Sequence, residues 1–134
     1  MLYNIKTGWG GIAKRHSEEI VILVSSLHRL NEHGTSFVFS DRHAYLQTAS
    51  FYGDIADLDQ IDWPVLQARD FKRDPEDPEK FERYQAEALV HQHLPVSSLL
   101  GVVCYNSVVK SDLNKLLELR NMELRIIAKS SWYF

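Results

Sequence analysis

Cysteine and long apolar runs are nearly absent from this sequence. Cys104 is the single cysteine among 134 residues, which excludes an internal disulfide or a multi-thiolate metal site and favours a reduced, buried thiol. No stretch approaches the roughly 18 apolar residues that a membrane span requires, and the first residues do not form a secretory signal. We therefore expect a cytoplasmic protein without a membrane segment.

An excess of either charge is also absent. Fifteen Lys and Arg residues stand against eighteen Asp and Glu residues, for a formal net charge of -3. No global field therefore draws the chain to nucleic acid or to anionic membranes, and any DNA contact must come from a local patch. The sequence also contains no Gly-x-Gly-x-x-Gly, P-loop or Gly-x-Ser-x-Gly motif, so the common nucleotide-binding and hydrolase folds receive no support.

The composition is that of an ordinary globular chain. Hydrophobic residues make up 45% of the sequence and charged residues 25%. A chain of this length buries roughly two-thirds of its unfolded surface, enough for an apolar core without disulfides. We therefore expect residues 1–134 to form a single domain.

The hydrophobic pattern predicts five strands. Residues 19–26 form a β-branched run that is typical of a central strand buried on both faces. Residues 36–39 predict a second strand, which ends at the polar pair Ser40-Asp41. Three further strands are predicted at residues 85–92, 99–105 and 124–128.

Short helices are predicted between these strands. Residues 27–33 predict one or two helical turns that end at Gly34, and residues 64–70 predict one further turn. Apolar residues recur at helical spacing in residues 107–120. They also do so in residues 44–63, which predict one amphipathic helix or two short helices broken near Gly53. Residues 70–82 contain two prolines and nine charged residues, which favours an exposed loop. Because strict strand-helix-strand alternation is missing, the pattern predicts a mixed α+β sheet.

Glu87 is the strongest candidate for chemistry from the residues alone. It places a charge within a predicted strand, on the face that also carries residues 85, 89 and 91. A carboxylate on a strand is costly unless it is paired or solvated. The alternative interpretation is an exposed strand face, on which a glutamate is ordinary.

Histidines offer a weaker candidate site. His91 and His93 are spaced so that both rings point to one side of a strand and could offer two metal ligands. No third ligand follows at a recognisable spacing. Surface or structural histidines are the better interpretation, and we expect no metal.

Basic and aromatic residues alternate in the charged loop upstream of Glu87. Phe71 and Phe81 lie among the five cations Arg69, Lys72, Arg73, Lys80 and Arg83. Such groups can hold single-stranded nucleic acid through phosphate contacts and base stacking. The alternative is a solvated charged loop with no ligand.

Several segments together resemble the DarT family of DNA ADP-ribosyltransferase toxins. They occur in the order and with the spacing of that family, and they cover almost the whole chain. The most specific blocks are Phe51 to Trp63 and Gln85 to Val90. The others are Met1-Leu2-Tyr3, Phe39-Ser40-Asp41, Gly101-Val102 with Tyr105-Asn106, and Trp132-Tyr133-Phe134.

The resemblance implies a fold, a reaction and partners. The fold is the split mixed β-sheet of ADP-ribosyltransferases with short flanking helices, and the reaction is transfer of ADP-ribose from NAD⁺ to a base in single-stranded DNA. Glu87 corresponds to the catalytic glutamate, and Lys72, Arg73 and Arg83 of the preceding loop are implied DNA contacts. A toxin of this family implies a macrodomain antitoxin that removes ADP-ribose from DNA.

The sequence also departs from the family. There the Met-Leu-Tyr segment follows an N-terminal part of the fold with an NAD⁺-contacting His-x-Thr strand and a catalytic arginine, and nothing in this chain occupies those places. Arg42-His43 differs from the small polar pair of the family, which leaves the acceptor base open. The residues that bind NAD⁺ are also left open.

Three interpretations follow. In the first, the chain is the C-terminal two-thirds of an enzyme. In the second, it is a truncated, inactive homologue that binds DNA, a protein or a second copy of itself through an exposed sheet edge. In the third, it is a structural domain whose Glu87 is merely exposed.

Overall fold

The computed structural model describes residues 2–70 and 72–133. Interpretations that involve Met1, Phe71 or Phe134 lie outside the described residues. The chain divides into two compact units, one from residues up to Ser26 together with those from Leu99 onward, and one from Leu27 to Ser98. No helix of the described part is long and apolar enough to cross a membrane.

The first unit contains a three-stranded mixed sheet. Its strands are β1 (Ile22–Val24), β5 (Gly101–Cys104) and β6 (Ile126–Ala128), in the order β1-β5-β6. β1 runs antiparallel to β5, and β5 runs parallel to β6. Its α-helices are α1 (Leu2–Thr7) and α5 (Ser107–Leu119), the latter capped by Asn106, whose side chain accepts the N–H of Val109. Short 3-10 helices cover Trp9–Gly11, Ser17–Glu19 and Ser130–Trp132.

The core of this unit lies on β5. All four residues of β5 are buried, and the free thiol of Cys104 is fully buried, as the sequence predicts. Tyr133 is also fully buried, and its hydroxyl lies 2.9 Å from the carbonyl oxygens of both Ile20 and Val103. The penultimate residue therefore fastens the segment before β1 to the central strand.

The second unit contains a three-stranded antiparallel sheet. Its strands are β2 (Phe37–Ser40), β3 (Phe51–Tyr52) and β4 (Glu87–Val90), in the order β3-β2-β4. The helices α2 (Leu27–Glu32), α3 (Trp63–Ala68) and α4 (Lys80–Arg83) belong to this unit, with 3-10 helices at Ile55–Gln60 and Val96–Ser98. Phe39 is buried and stacks on Tyr52 of the neighbouring strand, with ring centroids 5.5 Å apart.

The predicted mixed α+β class is confirmed, but two predicted elements are wrong. Residues 19–26 are not a central strand: β1 spans only Ile22–Val24, lies at the outside of its sheet and leaves Leu23 58% exposed. Glu19, the first residue of the predicted strand, instead ends the 3-10 helix Ser17–Glu19. Its carboxylate accepts the N–H of His16 at 2.8 Å. The buried central strand of this sheet is β5.

The second error lies in residues 44–63, for which the pattern predicts one amphipathic helix or two short helices broken near Gly53; only the part after Gly53 is helical. Residues 43–49 form turns, residues 51–52 form β3, and the helical part begins only at Ile55. Two contacts close this region against β2: the N–H of Ser50 donates to the Asp41 carboxylate at 2.9 Å, and Phe39 stacks on Tyr52. Tertiary contacts here override a local helical period.

Candidate functional site

Glu87 is the first residue of β4, and strand pairing determines its neighbours. In the antiparallel pair of β2 and β4, Glu87 stands opposite Ser40, the last residue of β2. The chain leaves β2 at Ser40, so the turn of residues 40–44 lies beside the Glu87 side chain. The end of β2 and Glu87, which are far apart in the sequence, are therefore adjacent in the structure.

The carboxylate of Glu87 is held by this turn through a single oxygen. Its Oε1 accepts the backbone N–H of Ala44 at 2.8 Å and lies 2.8 Å from Nδ1 of His43. The side chain is 37% exposed. The carboxylate is thus fixed in direction while part of it can meet a ligand, which is the arrangement that electrostatic stabilisation of a developing positive charge requires.

Buried Ser40 supports the turn from below. Its hydroxyl is 1% exposed and donates to the carbonyl of Arg42 at 2.6 Å. The adjacent Asp41 accepts the N–H of Ser50 and also contacts the Arg42 guanidinium at 3.4 Å. These contacts fix the backbone of residues 40–42, from which the contacts of His43 and Ala44 to Glu87 extend.

Arg42 lies at the centre of a cluster of carboxylates. Its side chain is only 15% exposed, and Nη1 lies 3.2 Å from Glu82 and 3.7 Å from Glu79. Burial of the guanidinium lowers the Arg42 pKa, but hydrogen bonds to Asp41 and Glu82 outweigh this effect and raise it overall. Arg42 therefore stays charged and joins the turn beside Glu87 to the segment around α4.

Ion pairs join the charged segment of residues 72–83 to Asp70 and Asp62. Lys80 contacts Asp70 at 2.7 Å, and Arg83 contacts Asp62 at 2.9 Å and Asp77 at 2.5 Å. Hydrogen bonds from Arg83 lower the pKa of Asp77, and the contacts with Asp77 and then Asp62 raise that of Arg83. A hydrogen bond from Lys80 lowers the pKa of Asp70.

The three cations implied as DNA contacts occupy different settings in this segment. Lys72 is exposed. Arg73 is exposed and lies over the ring of Phe81, 5.3 Å from its centroid, at a cavity of about 410 Å³ that Glu82 also lines. Arg83 is 25% exposed and already contacts two carboxylates. Phosphate could therefore reach Lys72 and Arg73 directly, whereas contact with Arg83 requires that phosphate replace a carboxylate.

A second cavity of about 230 Å³ lies where β2 and β4 meet the helices of the same unit. Its walls include Phe39 and Ser40 of β2, Trp63 of α3 and residues 86–88. The indole N–H of Trp63 donates to the carbonyl of Leu58 at 2.7 Å. This bond fixes the ring in the wall of the cavity.

The sequence marks Glu87 as a candidate but does not mark the residues that contact it. Arg42 and His43 appeared in the sequence only as a departure from the DarT pattern. The signal that could have found them is their position directly after a strand that ends in Ser40-Asp41, because strand exits often carry functional side chains. His91 and His93 are both exposed, and within residues 2–70 and 72–133 no group of three His, Cys, Asp or Glu side chains is arranged to hold a metal.

Comparison with known proteins gives consistent matches. The family model for DarT, ssDNA thymidine ADP-ribosyltransferase, matches residues 1–134. A DNA ADP-ribosyl transferase of Escherichia coli O127:H6 is 54% identical over 134 residues, which are 100% of this chain and 62% of that protein. A relative of the same description from Thermus sp. (strain 2.9) is 34% identical over 140 residues, which cover 100% of this chain and 63% of that protein.

Solved structures agree with these matches. DarT of Thermus sp. 2.9 in complex with ADP-ribosylated ssDNA superposes with a TM-score of 0.86 at 30% identity, covering 99% of this chain and 63% of that one. The same protein in complex with carba-NAD⁺ gives a TM-score of 0.82 at 30% identity, with 99% and 67% covered. The chain thus spans less than two-thirds of the length of both curated relatives described above.

Proposed function

We propose, from the premise that this chain belongs to the DarT family of ssDNA thymidine ADP-ribosyltransferases, that it transfers ADP-ribose from NAD⁺ to a base of single-stranded DNA. The observation that carries the proposal is the half-exposed Glu87 carboxylate, anchored through Oε1 by the turn after β2. Complexes of the Thermus relative with carba-NAD⁺ and with ADP-ribosylated ssDNA support the choice of co-substrate and acceptor. The family description makes thymidine the acceptor to test first.

The proposed reaction assigns Glu87 an electrostatic role. The bond between the ribose C1′ and the nicotinamide nitrogen breaks, nicotinamide leaves with the bonding electrons, and positive charge develops on the ribose. A new bond forms between C1′ and a base nitrogen, which loses a proton. A fixed carboxylate that hydrogen-bonds the ribose hydroxyls stabilises this oxocarbenium-like state more than the ground state, which accelerates transfer.

His43 and Ala44 serve this role by orienting the carboxylate. The hydrogen bond from the Ala44 N–H to Oε1, together with the 2.8 Å contact between His43 Nδ1 and the same oxygen, restricts rotation of the side chain and keeps the charge in one place before substrate binds. The backbone N–H of Ala44 cannot be removed by a side-chain substitution. The His43 contact can, and His43→Ala is expected to lower the rate without removing the catalytic group.

The segment before Glu87 is the proposed DNA contact. Lys72 and Arg73 offer exposed cations for phosphate, and the exposed part of the Phe81 ring, one face of which Arg73 covers, offers aromatic surface for a base. Arg83 is the third proposed contact with DNA. If it exchanges Asp77 for phosphate, Arg83→Gln will lower the slope of log affinity against log salt by about one unit, as Lys72→Gln is expected to do.

The remaining proposals follow the family resemblance. We propose that residues 1–134 form one ADP-ribosyltransferase-like domain that is part of a longer fold. A macrodomain antitoxin is the proposed partner and the cytoplasm the proposed location, in keeping with a toxin-antitoxin pair. No residue of the chain identifies the antitoxin surface.

A non-catalytic binding module is the second candidate. The observation that favours it is the position of β1 at the outside of its sheet with Leu23 exposed. Outer strands can pair with a further strand, including one from a second copy. This candidate predicts binding of DNA or protein without transfer.

The mass of a single-stranded oligonucleotide incubated with NAD⁺ and the chain tests the proposal. A gain of one ADP-ribose on a thymidine-containing oligonucleotide, absent without NAD⁺ and from a thymidine-free oligonucleotide, is expected. If no gain appears, the assay is repeated with any in-frame residues encoded upstream. Restored transfer would show that the chain is part of the enzyme, whereas continued silence with DNA binding retained would favour the binding module.

A further inference from the structure

Arg42 connects the two regions on which the proposed function depends. Its main chain belongs to the turn of residues 40–44 that holds Glu87, and its side chain reaches Glu82 and Glu79 beside α4. These carboxylates lie in the segment that carries Lys72, Arg73 and Phe81. Two arginines join this segment to the rest of the unit. Arg83 of the segment contacts Asp62, and Arg42 of the turn contacts Glu82 of the segment.

The fork of Arg42 is fixed at both ends. On the main chain, the buried Ser40 hydroxyl donates to the Arg42 carbonyl at 2.6 Å. On the side chain, Nε and Nη2 each lie 3.4 Å from Asp41 Oδ2, and Nη1 lies 3.2 Å from Glu82 Oε2. A guanidinium held on two sides in this way fixes direction as well as charge, which an ammonium group does not.

Charge makes the same connection important for a polyanionic acceptor. Asp41, Glu79 and Glu82 all lie within 4 Å of the Arg42 guanidinium. Without Arg42 these three carboxylates would repel one another and would repel phosphate that approaches Lys72 and Arg73. The segment would then move away from the turn, and the turn would lose the contact that holds it from the α4 side.

We propose that Arg42 is a positioning residue that clamps the α4 segment to the turn of residues 40–44 and thereby keeps Ala44 and His43 on the Glu87 carboxylate. The proposal deepens the proposed function and rests on it for its catalytic consequence. Arg42 need not touch substrate. It acts through Glu87, so its loss changes the rate of transfer by changing where a carboxylate stands.

Hydrogen exchange of the 134-residue chain, followed by NMR, tests the clamp without any need for activity. Arg42→Gln is expected to accelerate exchange of the Ala44 amide, which donates to Glu87, and of the Tyr84 amide at the end of α4 by about tenfold. Arg42→Lys restores the charge but not the fork and is expected to fall between the two. Arg15→Gln is the matched control, since Arg15 is exposed and pairs with Glu19 four residues away.

A second variant guards against loss of folding. Glu82→Gln removes the negative charge of the carboxylate nearest to the Arg42 guanidinium and so weakens the contact from the α4 side. It is expected to accelerate Ala44 exchange in the same direction. Unchanged Ala44 exchange in both Arg42→Gln and Glu82→Gln would overturn the clamp. The result would do so whether or not the chain transfers ADP-ribose.

The catalytic consequence has its own measurement. In the form of the protein that transfers ADP-ribose, Arg42→Gln is expected to lower kcat about tenfold or more, with Arg42→Lys recovering part of the loss, while Arg15→Gln stays at the wild-type rate. Loss confined to KM for DNA, with kcat unchanged, would contradict action through Glu87. Absence of transfer by every form of the wild type would overturn the proposed function. The hydrogen-exchange experiment would then still test the clamp.

Discussion

Replacement of Tyr133 by phenylalanine removes one oxygen atom from the most buried aromatic residue of the first unit. The hydroxyl lies 2.9 Å from the carbonyl oxygens of Ile20 and Val103, and the side chain is fully buried. The hydroxyl has one proton and donates to one of these carbonyls at a time, so the variant loses one buried hydrogen bond. Such a loss costs about 1–2 kcal/mol in free energy of unfolding.

Urea unfolding followed by far-UV circular dichroism measures this cost. The midpoint is expected to fall with little change in slope, and thermal unfolding is expected to shift down by about 5 °C. Tyr3→Phe is the matched control: Tyr3 is 67% exposed, so its loss of a hydroxyl is expected to change stability by less than about 0.5 kcal/mol. Equal stabilities of Tyr133→Phe and the wild type would refute the reasoning.

The same contact has a pH signature. Burial, followed by an electrostatic contribution from Cys104, raises the pKa of Tyr133 above its ordinary value of 10.0. Its stabilising contribution is therefore complete below pH 10.0 and is lost as the pH rises through the raised value. Absorbance at alkaline pH is expected to show a tyrosine titration step above pH 10.0, and Tyr133→Phe is expected to abolish that step.

Two further predictions concern stability. Gly101→Ala places a methyl group 2.5 Å from the carbonyl oxygen of Arg125 and so forces β5 and β6 apart, at an expected cost of about 2–3 kcal/mol in urea unfolding; Gly53→Ala, which meets nothing within 4 Å, is the control, and equal effects of the two would contradict the packing of β5 on β6. Hydrogen bonds from Arg83 lower the pKa of Asp77 below its ordinary value of 3.8, so this contribution is present above that value and lost as the pH falls. Between about pH 5 and pH 2, Arg83→Gln is therefore expected to lose stability less steeply than the wild type, and parallel curves would show that the contact is too exposed to matter.

The sequence predicts elements well where local pattern and tertiary packing agree. α5 has helical spacing, an asparagine cap and no competing signal, and it forms almost as predicted. β4 was recognised by its apolar residues and Glu87 by the charge at its start. In these two elements, residues close in sequence are sufficient to determine the local structure.

Elsewhere the decisive contacts come from residues distant in sequence. β3 has only two residues, too few for an alternating pattern, and exists because Tyr52 stacks on Phe39. Arg42 and Glu82 are 40 residues apart, and their contact depends on the pairing of β2 with β4. No spacing rule predicts such a contact, so the glutamate could be found from sequence while the residues that hold it could not.

In the proposed function, the Glu87 carboxylate stabilises the transition state for transfer of ADP-ribose to single-stranded DNA. The most direct test compares the rate at which an oligonucleotide gains the mass of one ADP-ribose from NAD⁺ with the wild type and with Glu87→Gln, in the transfer-competent form. Glutamine keeps an oxygen that can accept from Ala44, so the variant is expected to unfold within about 1 kcal/mol of the wild type. Its rate is expected to fall by about 10²-fold or more. Equal rates in two equally stable proteins would contradict the account.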